Sequence, residues 1–426
     1  PTPEGAQAMT APCDGGPAAR GVAAWDADDL LTVDAEDDTP LYVLDRDRVA
    51  ENCARLRSAF PDAEISYAMK AHAGRPVLRT VREAGLDAEC ASAGEVERAF
   101  AAGFPGDRIR YTAVNPPARD LDRVVERWRE SPDLTITVGA ADTADRLRDR
   151  GFDGRLCVRA NPGVGAGHHE KVRTGANAKF GIPIERVPDL AAAWAADFDL
   201  VGVHAHAGSG ISGDDLSAHR ELVSRMGDLA RDVESRTGSL EFVTVGGGFG
   251  VPYREDDPPL DLDSVAEATR TALGDVEATL SVEPGRYVVA DASVLLTRVN
   301  TVKRARDATV VGVDAGMTAL LRPAMYDAYH PIRNLSADAA GGPRETTPVT
   351  VAGPICESAD VLCEQRPLSR PERGEILAIG NAGAYGYEMS NTYNSRPRPA
   401  EVARSGTTVR IARRRETVSE LTELER

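Results

Sequence analysis

The 426-residue sequence predicts an α/β protein, a (β/α)8 TIM barrel joined to a C-terminal antiparallel β-domain. Three observations carry that prediction. Short β-rich segments alternate with helical stretches through the first two-thirds of the chain, and about eight such units close a barrel of ordinary size. Strand-then-helix alternation implies parallel strands with right-handed crossovers, and the dinucleotide fingerprint of an open doubly wound sheet is not evident at the first β/α turn. From about Tyr287 the long helices drop out, and "RYVVADASVLLTRVNTVKR", "ATVVGVDAG", "TPVTVAG", "EILAIGNAG" and "TTVRIARRR" follow as an antiparallel barrel or sandwich.

Taken in order, residues 1–22 are small, Pro/Gly/Ala-rich and expected to be a disordered tail. They lack the apolar core of a secretory leader. "LYVLD" reads as a strand, and the helix after it carries Val49, Cys53, Leu56 and Phe60 on one face. The barrel strands are then "EISYAMK", "LDAEC", "RIRYT", "LTITV", "RLCVRA", "LVGVHAH", "EFVTVG" and "TLSVE". Stretches such as "RPVLRTVREAG" and "HRELVSRMGDLARDVESRTG" supply the helices between them. The barrel is expected over 45–285. "LYVLD" is expected to join the later strands, so the β-domain is discontinuous, 23–44 with 286–426.

Composition narrows the partners. A net charge of −17 argues against nucleic acid and anionic membrane surfaces. No apolar run is long enough to span a bilayer. The six cysteines form no C-x-x-C pair, so no metal site is expected and a reduced cytoplasmic protein is the default. Arginine replaces lysine almost everywhere: only Lys70, Lys171, Lys179 and Lys303 remain.

In a TIM barrel the working residues lie at the C-terminal strand ends and the loops that follow. Lys70 ends the first barrel strand. It is either an exposed strand-end lysine or an amine whose burial frees it to form a Schiff base, which arginine cannot do. The run Gly246, Gly247, Gly248 follows the seventh strand, where these barrels often bind phosphate; a plain tight turn would look the same. "VEPGRY" follows the eighth strand and places Glu283, Pro284, Gly285 and Arg286 at the mouth. "HAHAGSG" follows the sixth and offers His204, His206 and Ser209; the H-x-H spacing suits zinc or a ring for stacking. Amine, phosphate cradle, aromatic ring and carboxylate at one mouth match the needs of pyridoxal 5'-phosphate.

The chain resembles the barrel-type (fold type III) pyridoxal-phosphate decarboxylases, which share the alanine racemase/ornithine decarboxylase architecture. The resemblance runs from about Leu41 to Val402 through "YAMKA", "CASAGE", "VRANPGV", "KFGI", "HAHAGSG", "GGGFG", "EPGRY", "DAGMTALLRPAMY", "GPICESADVL" and "GAYGYEMSNTYNSRPRPAEV". It implies that Lys70 carries the cofactor, His206 stacks on its ring, Ser209 with Gly246–Gly248 holds its phosphate, and Glu283 keeps the pyridine nitrogen protonated. Pro284 and Gly285 complete the cofactor loop. Arg286 would meet the substrate carboxylate, Arg322 and Tyr326 its distal end, and Tyr385 both cofactor and substrate. Cys356 would be the general acid and Glu357 a substrate ligand, both delivered by the partner subunit of a homodimer.

The distal pocket is expected to read the substrate. A terminal amine wants acids there, whereas Arg322, Tyr326 and Glu357 suit the second amino-acid head of meso-2,6-diaminopimelate. Decarboxylation would then yield L-lysine and CO2. Competing readings are another basic amino-acid decarboxylase (ornithine, arginine, lysine or carboxynorspermidine), a racemase, or a non-catalytic pyridoxal-phosphate carrier. Departures from the family pattern fall at His72, Gly74, Glu89, Asn115–Pro116 and Ala178.

Overall fold

The computed structural model describes residues 19–164, 179–206, 208, 211, 215–306 and 308–426. Chain order opens with β1 (Leu41–Asp45), then β2 (Glu64–Ala68), β3 (Asp87–Cys90), β4 (Ile109–Tyr111), β5 (Thr135–Val138) and β6 (Arg155–Asn161). After these come β7 (Ile182–Pro183), β8 (Asp199–His204), β9 (Phe242–Thr244) and β10 (Thr279–Val282). Eight of these, β2 to β6 and β8 to β10, pair in parallel, and β10 returns to β2 to close the barrel. The eight segments read as barrel strands are these eight. The two-residue β7 hangs on the end of β6.

The strands are short and almost wholly buried; Ala88, Ile109, Ile136, Val158, Val203 and Val282 are fully enclosed. Such runs suit a parallel sheet covered on both faces. The helices begin where side chains can cap them. Asp45 accepts from the Asp47 and Arg48 amides at the start of helix Arg46–Ala59. Ser92 Oγ accepts from the Glu95 amide at the start of helix Ala93–Ala102, while Glu95 Oε2 accepts from the Ala91 amide at 2.6 Å, one residue before the cap. Val49, Cys53 and Leu56 of the first of these helices lie on the barrel core, as their spacing predicts.

The second sheet holds β11 (Ser293–Arg304), β12 (Thr309–Val313), β13 (Ile332–Asn334), β14 (Thr346–Ala352) and β15 (Val361–Ser369), then β16 (Ile376–Ile379), β17 (Ala400–Ser405) and β18 (Thr408–Arg413). Its order is β15-β14-β12-β11-β1-β17-β18, with β16 on β11 and β13 on β16. Most pairings are antiparallel, but β1 runs parallel to β17 and β12 parallel to β14. The first exception has a simple cause. The whole barrel lies between β1 and β17, so the long crossover that parallel pairing requires is already present.

Buried polar contacts weld the two bodies. Asp291 receives both Arg48 (Nη2 at 2.7 Å) and Asn52 (2.9 Å) from the first barrel helix. His72, from the barrel mouth, lies 2.7 Å from Glu401 on β17, and both are enclosed. Arg413 stands 3.5 Å from the other Glu401 oxygen and 2.7 Å from Glu388, which accepts from the Ala73 amide. His72 occupies a position where the family is commonly polar; here it is the barrel's half of a buried inter-domain hydrogen bond.

Burial raises the Glu401 pKa, but His72 and then Arg413 outweigh it, so the group ionises below its ordinary range. A depressed carboxylate stabilises above its unfolded pKa, and that contribution is lost as pH falls through the folded value. Glu401→Gln is expected to lower unfolding stability at pH 7 by up to about 3–5 kcal/mol. The deficit relative to wild type should shrink towards pH 4. Urea titrations at the two pH values check both statements.

Candidate active site

The C-terminal mouth of the barrel collects the ionisable groups that the strands deliver. Lys70 sits in the single 3-10 turn Met69–Ala71 that follows β2, and its Nζ lies 3.3 Å from Glu89 at the end of β3. Glu89 is buried while the lysine side chain keeps 41 % of its surface open to the mouth. Burial disfavours the ammonium, but Glu89, Tyr385 and Glu283 together outweigh that effect and raise the Lys70 pKa. Burial likewise pushes Glu89 up, partly offset by Lys70.

Glu283, directly after β10, is buried and accepts from or shares a proton with His204 Nε2 at 3.0 Å. Burial raises its pKa, yet His204, Lys70 and His206 prevail and hold it below the usual carboxylate range. Its other oxygen, Oε1, is buried with no hydrogen-bond partner among the described residues. Such an orphan acceptor in a native site marks a missing donor. A protonated pyridine nitrogen is such a donor.

The glycine run forms the wall beside it. His206 Nδ1 accepts from the Gly247 amide at 3.1 Å, so the neutral ring carries its proton on Nε2. Burial, then Lys70 and Arg159, push the His206 pKa down to about 3. A Cβ on Gly247 would collide with the Glu283 carbonyl, and Gly246 and Gly248 adopt φ of 74° and 102°. Only glycine satisfies all three positions. The Pro284 carbonyl accepts from Ala68, and Gly285 packs on Ala68 and Ala71, which locks this wall to the Lys70 turn. Tyr385 donates its amide to the Ala71 carbonyl at 2.8 Å, in a left-handed conformation (φ 58°).

The far end of the mouth is cationic. Arg286 donates to the Tyr253 hydroxyl at 2.6 Å and lies 5.1 Å from the Tyr385 ring centroid. Arg322, only 3 % exposed, donates to the same hydroxyl at 2.9 Å and to His330 Nε2 at 3.0 Å. Tyr326 is near enough to Arg286 to act on it electrostatically.

Lys70, His206, Gly246–Gly248, Glu283, Pro284, Gly285, Arg286, Arg322, Tyr326 and Tyr385 are thus brought together, whereas Ser209 lies outside the described residues. Cys356 and Glu357 stand apart. Cys356 is exposed and accepts from Asn394 at 3.2 Å, and Glu357 accepts from Tyr393. Among the described residues no cluster of three His, Cys, Asp or Glu could hold a metal ion. The H-x-H pair divides its work: His204 meets Glu283, His206 meets Gly247. Sequence reasoning missed Arg159, a buried cation acting on Glu283 and Glu89, and Tyr253 and His330 at the far end. For Arg159 the signal was its place near the C-terminal end of a barrel strand. Tyr253 and His330 carry none.

The amine, the two carboxylates, the glycine wall and the orphan acceptor fit pyridoxal phosphate and define a cofactor-dependent lyase site. Residues 46–290 match the family model "pyridoxal-dependent decarboxylase, pyridoxal binding domain". The chain belongs to the pyridoxal-dependent decarboxylase family. It is 40 % identical over 408 residues to a diaminopimelate decarboxylase of Methanothermobacter thermautotrophicus, covering 92 % of this chain and 93 % of that one. It is 36 % identical over 420 residues to the diaminopimelate decarboxylase of Escherichia coli K12, covering 94 % and 96 %. The Helicobacter pylori diaminopimelate decarboxylase complexed with L-lysine superposes with a TM-score of 0.85 at 31 % identity, over 93 % of this chain and 99 % of that chain.

Burial, reinforced by Arg322, holds His330 down at about 3. A histidine that resists protonation when folded makes the unfolded chain bind more protons below about 6.5, so stability falls with pH there. Glu95, which burial raises to about 7, works in the opposite direction. The comparison of variants isolates the histidine. In cofactor-free protein, His330→Gln is expected to lose less stability than wild type between pH 7 and pH 5, measured by urea unfolding.

Proposed function

We propose that the protein decarboxylates meso-2,6-diaminopimelate to L-lysine and CO2 with pyridoxal phosphate, in the cytoplasm. The observation that carries the reading is one mouth with two unlike ends. Lys70, Glu89 and Glu283 gather at the cofactor end, and Arg286 and Arg322 at the other. A substrate with an amino-acid head at each end suits both. The curated relatives named above carry the same activity in their names.

Bound at Lys70, pyridoxal phosphate supplies the conjugated ring that takes up the electron pair left by departing CO2. The chain's residues do the rest. Lys70 would hold the cofactor covalently, and its amine, beside Glu89 at the mouth, is the chain's own group for taking up and returning a proton there. Glu283 keeps a negative oxygen against the pyridine nitrogen so that the nitrogen retains its proton. His206, neutral at working pH, offers a flat face without adding charge. Gly246, Gly247 and Gly248, with Ser209, admit the phosphate close to the backbone. Arg286 and Arg322 hold the distal carboxylate, Tyr326 and Tyr385 flank it, and Glu357 takes the distal ammonium. Cys356 Sγ donates a proton to the carbon that lost CO2.

Cys356 and Glu357 would act on another copy, a reading supported by their distance from this chain's own mouth. In one chain they contact Asn394 and Tyr393 on the exposed side of the β-domain. A homodimer that exchanges these loops completes each site. The rival reading, a terminal-amine decarboxylase, leaves two guanidiniums at the distal end without an anion to bind.

CO2 release from meso-diaminopimelate, L-ornithine, L-arginine and L-lysine, each offered separately to the cofactor-loaded protein, tests the substrate. Release from meso-diaminopimelate alone is expected; release from any terminal-amine substrate overturns the distal-end reading. Lys70→Ala and Cys356→Ala should each be nearly inactive, falling by about 10³ or more. Mixed and allowed to exchange subunits, the two should regain about a quarter of wild-type activity, since one site in four then carries both native groups. No recovery on mixing rejects the shared site.

A further inference from the structure

We propose that Tyr253 is a positioning residue for substrate specificity: its phenol oxygen clamps Arg286 and Arg322 side by side, so that both face one distal carboxylate. This deepens the decarboxylase reading above and rests on it.

Two guanidiniums repel, and converging them on a low-dielectric mouth needs a group that pays for the approach. Tyr253 oxygen does this by accepting from Arg286 Nη1 at 2.6 Å and from Arg322 Nη1 at 2.9 Å. Each cation also lies near the phenol ring, with guanidinium carbons 5.8 and 5.1 Å from its centroid. Burial alone would raise the Tyr253 pKa, but the two arginines outweigh it and lower it, as expected where two cations donate to one phenol oxygen. A guanidinium has five N–H donors and the clamp occupies those of one nitrogen, so each arginine keeps donors for an anion.

The clamp is held from both domains. Asp257 accepts from the Tyr253 and Arg254 amides at 3.1 and 2.9 Å, and Asn381 of the β-domain donates to the Pro252 carbonyl at 2.9 Å. On the other side His330 Nδ1 donates to the Gly380 carbonyl at 2.9 Å, leaving Nε2 to accept from Arg322. The His330 ring meets Tyr253 edge-on, 5.5 Å between centroids. Arg286, just after the last barrel strand, and Arg322, well inside the β-domain, are therefore set at a fixed separation by one oxygen. Without it their spacing is free, and recognition of a bidentate anion suffers while the Lys70 end is untouched.

L-Lysine and 1,5-diaminopentane differ by one carboxylate and isolate this effect. Isothermal titration of each into cofactor-loaded wild type and Tyr253→Phe is the test. The clamp predicts that Tyr253→Phe weakens lysine tenfold or more and 1,5-diaminopentane by less than twofold. Equal weakening of both ligands reduces Tyr253 to a structural residue, and an unchanged lysine preference removes its role; either overturns the proposal. If Tyr253→Phe does not load cofactor, Tyr253→Leu, which also lacks the oxygen, takes its place with the same expectations. A wild type that binds lysine no better than the diamine sinks the distal-carboxylate reading itself, a result distinct from failure of the clamp alone.

Discussion

Two carboxylates buried side by side at the barrel mouth, Glu89 and Glu283, dictate the arrangement around them. Charges taken out of water must be compensated close by. Lys70 answers Glu89 at 3.3 Å and His204 answers Glu283 at 3.0 Å, while Arg159 acts on both carboxylates. One Glu283 oxygen is left without a hydrogen-bond partner among the described residues. A site balanced in this way accepts a cationic ring nitrogen without rebuilding. It also keeps His206 neutral, because burial disfavours its protonation and Lys70 and Arg159 add positive charge beside it.

Barrel closure makes such a balance possible. Glu89 lies on β3, Lys70 sits in the turn directly after the adjacent β2, and Glu283 follows β10, the strand that seals the ring against β2. Parallel strands send every C-terminal end to the same rim, so residues far apart in sequence share a space about one side chain across. The β-domain adds the other half. It reaches over the mouth through Arg322, His330, Asn381 and Tyr385, and its anchorage runs through Asp291 and Glu401. The arginine-rich end of the mouth is therefore an interface between two bodies, a common place for ligand sites.

Much of this was legible in the sequence. The eight barrel strands could be read because β-rich segments recur with helix-period segments between them, and parallel topology follows from that rhythm. Strand ends in a barrel converge by geometry, so Lys70, the glycine run and Glu283 could be placed at one mouth from the sequence, while their separate roles were implied only by the family resemblance. The arginine pair was half legible: both residues could be named, but not the phenol between them. Tyr253 lies in "GVPYREDDPP", a polar loop with no periodicity, and its value depends on where the loop lands. The parallel pairing of β1 with β17 was hidden for a related reason, since strand direction across so long an excursion has no local signature.

His72 shows the division most plainly. In the sequence it is a departure beside the lysine; in the structure it is the barrel's anchor to Glu401. Cys356 shows the converse: the family resemblance implies a proton donor in "GPICES", yet in one chain the residue lies on an exposed loop beside Asn394. The sequence by itself determined the fold class, the cofactor chemistry and the identity of most groups at the mouth, because periodicity and residue type are local properties. Only the tertiary structure decided which charges answer which, and how Tyr253 unites two arginines from separate bodies. Electrostatic compensation acts through space over a few ångströms, and chain order carries no record of that distance.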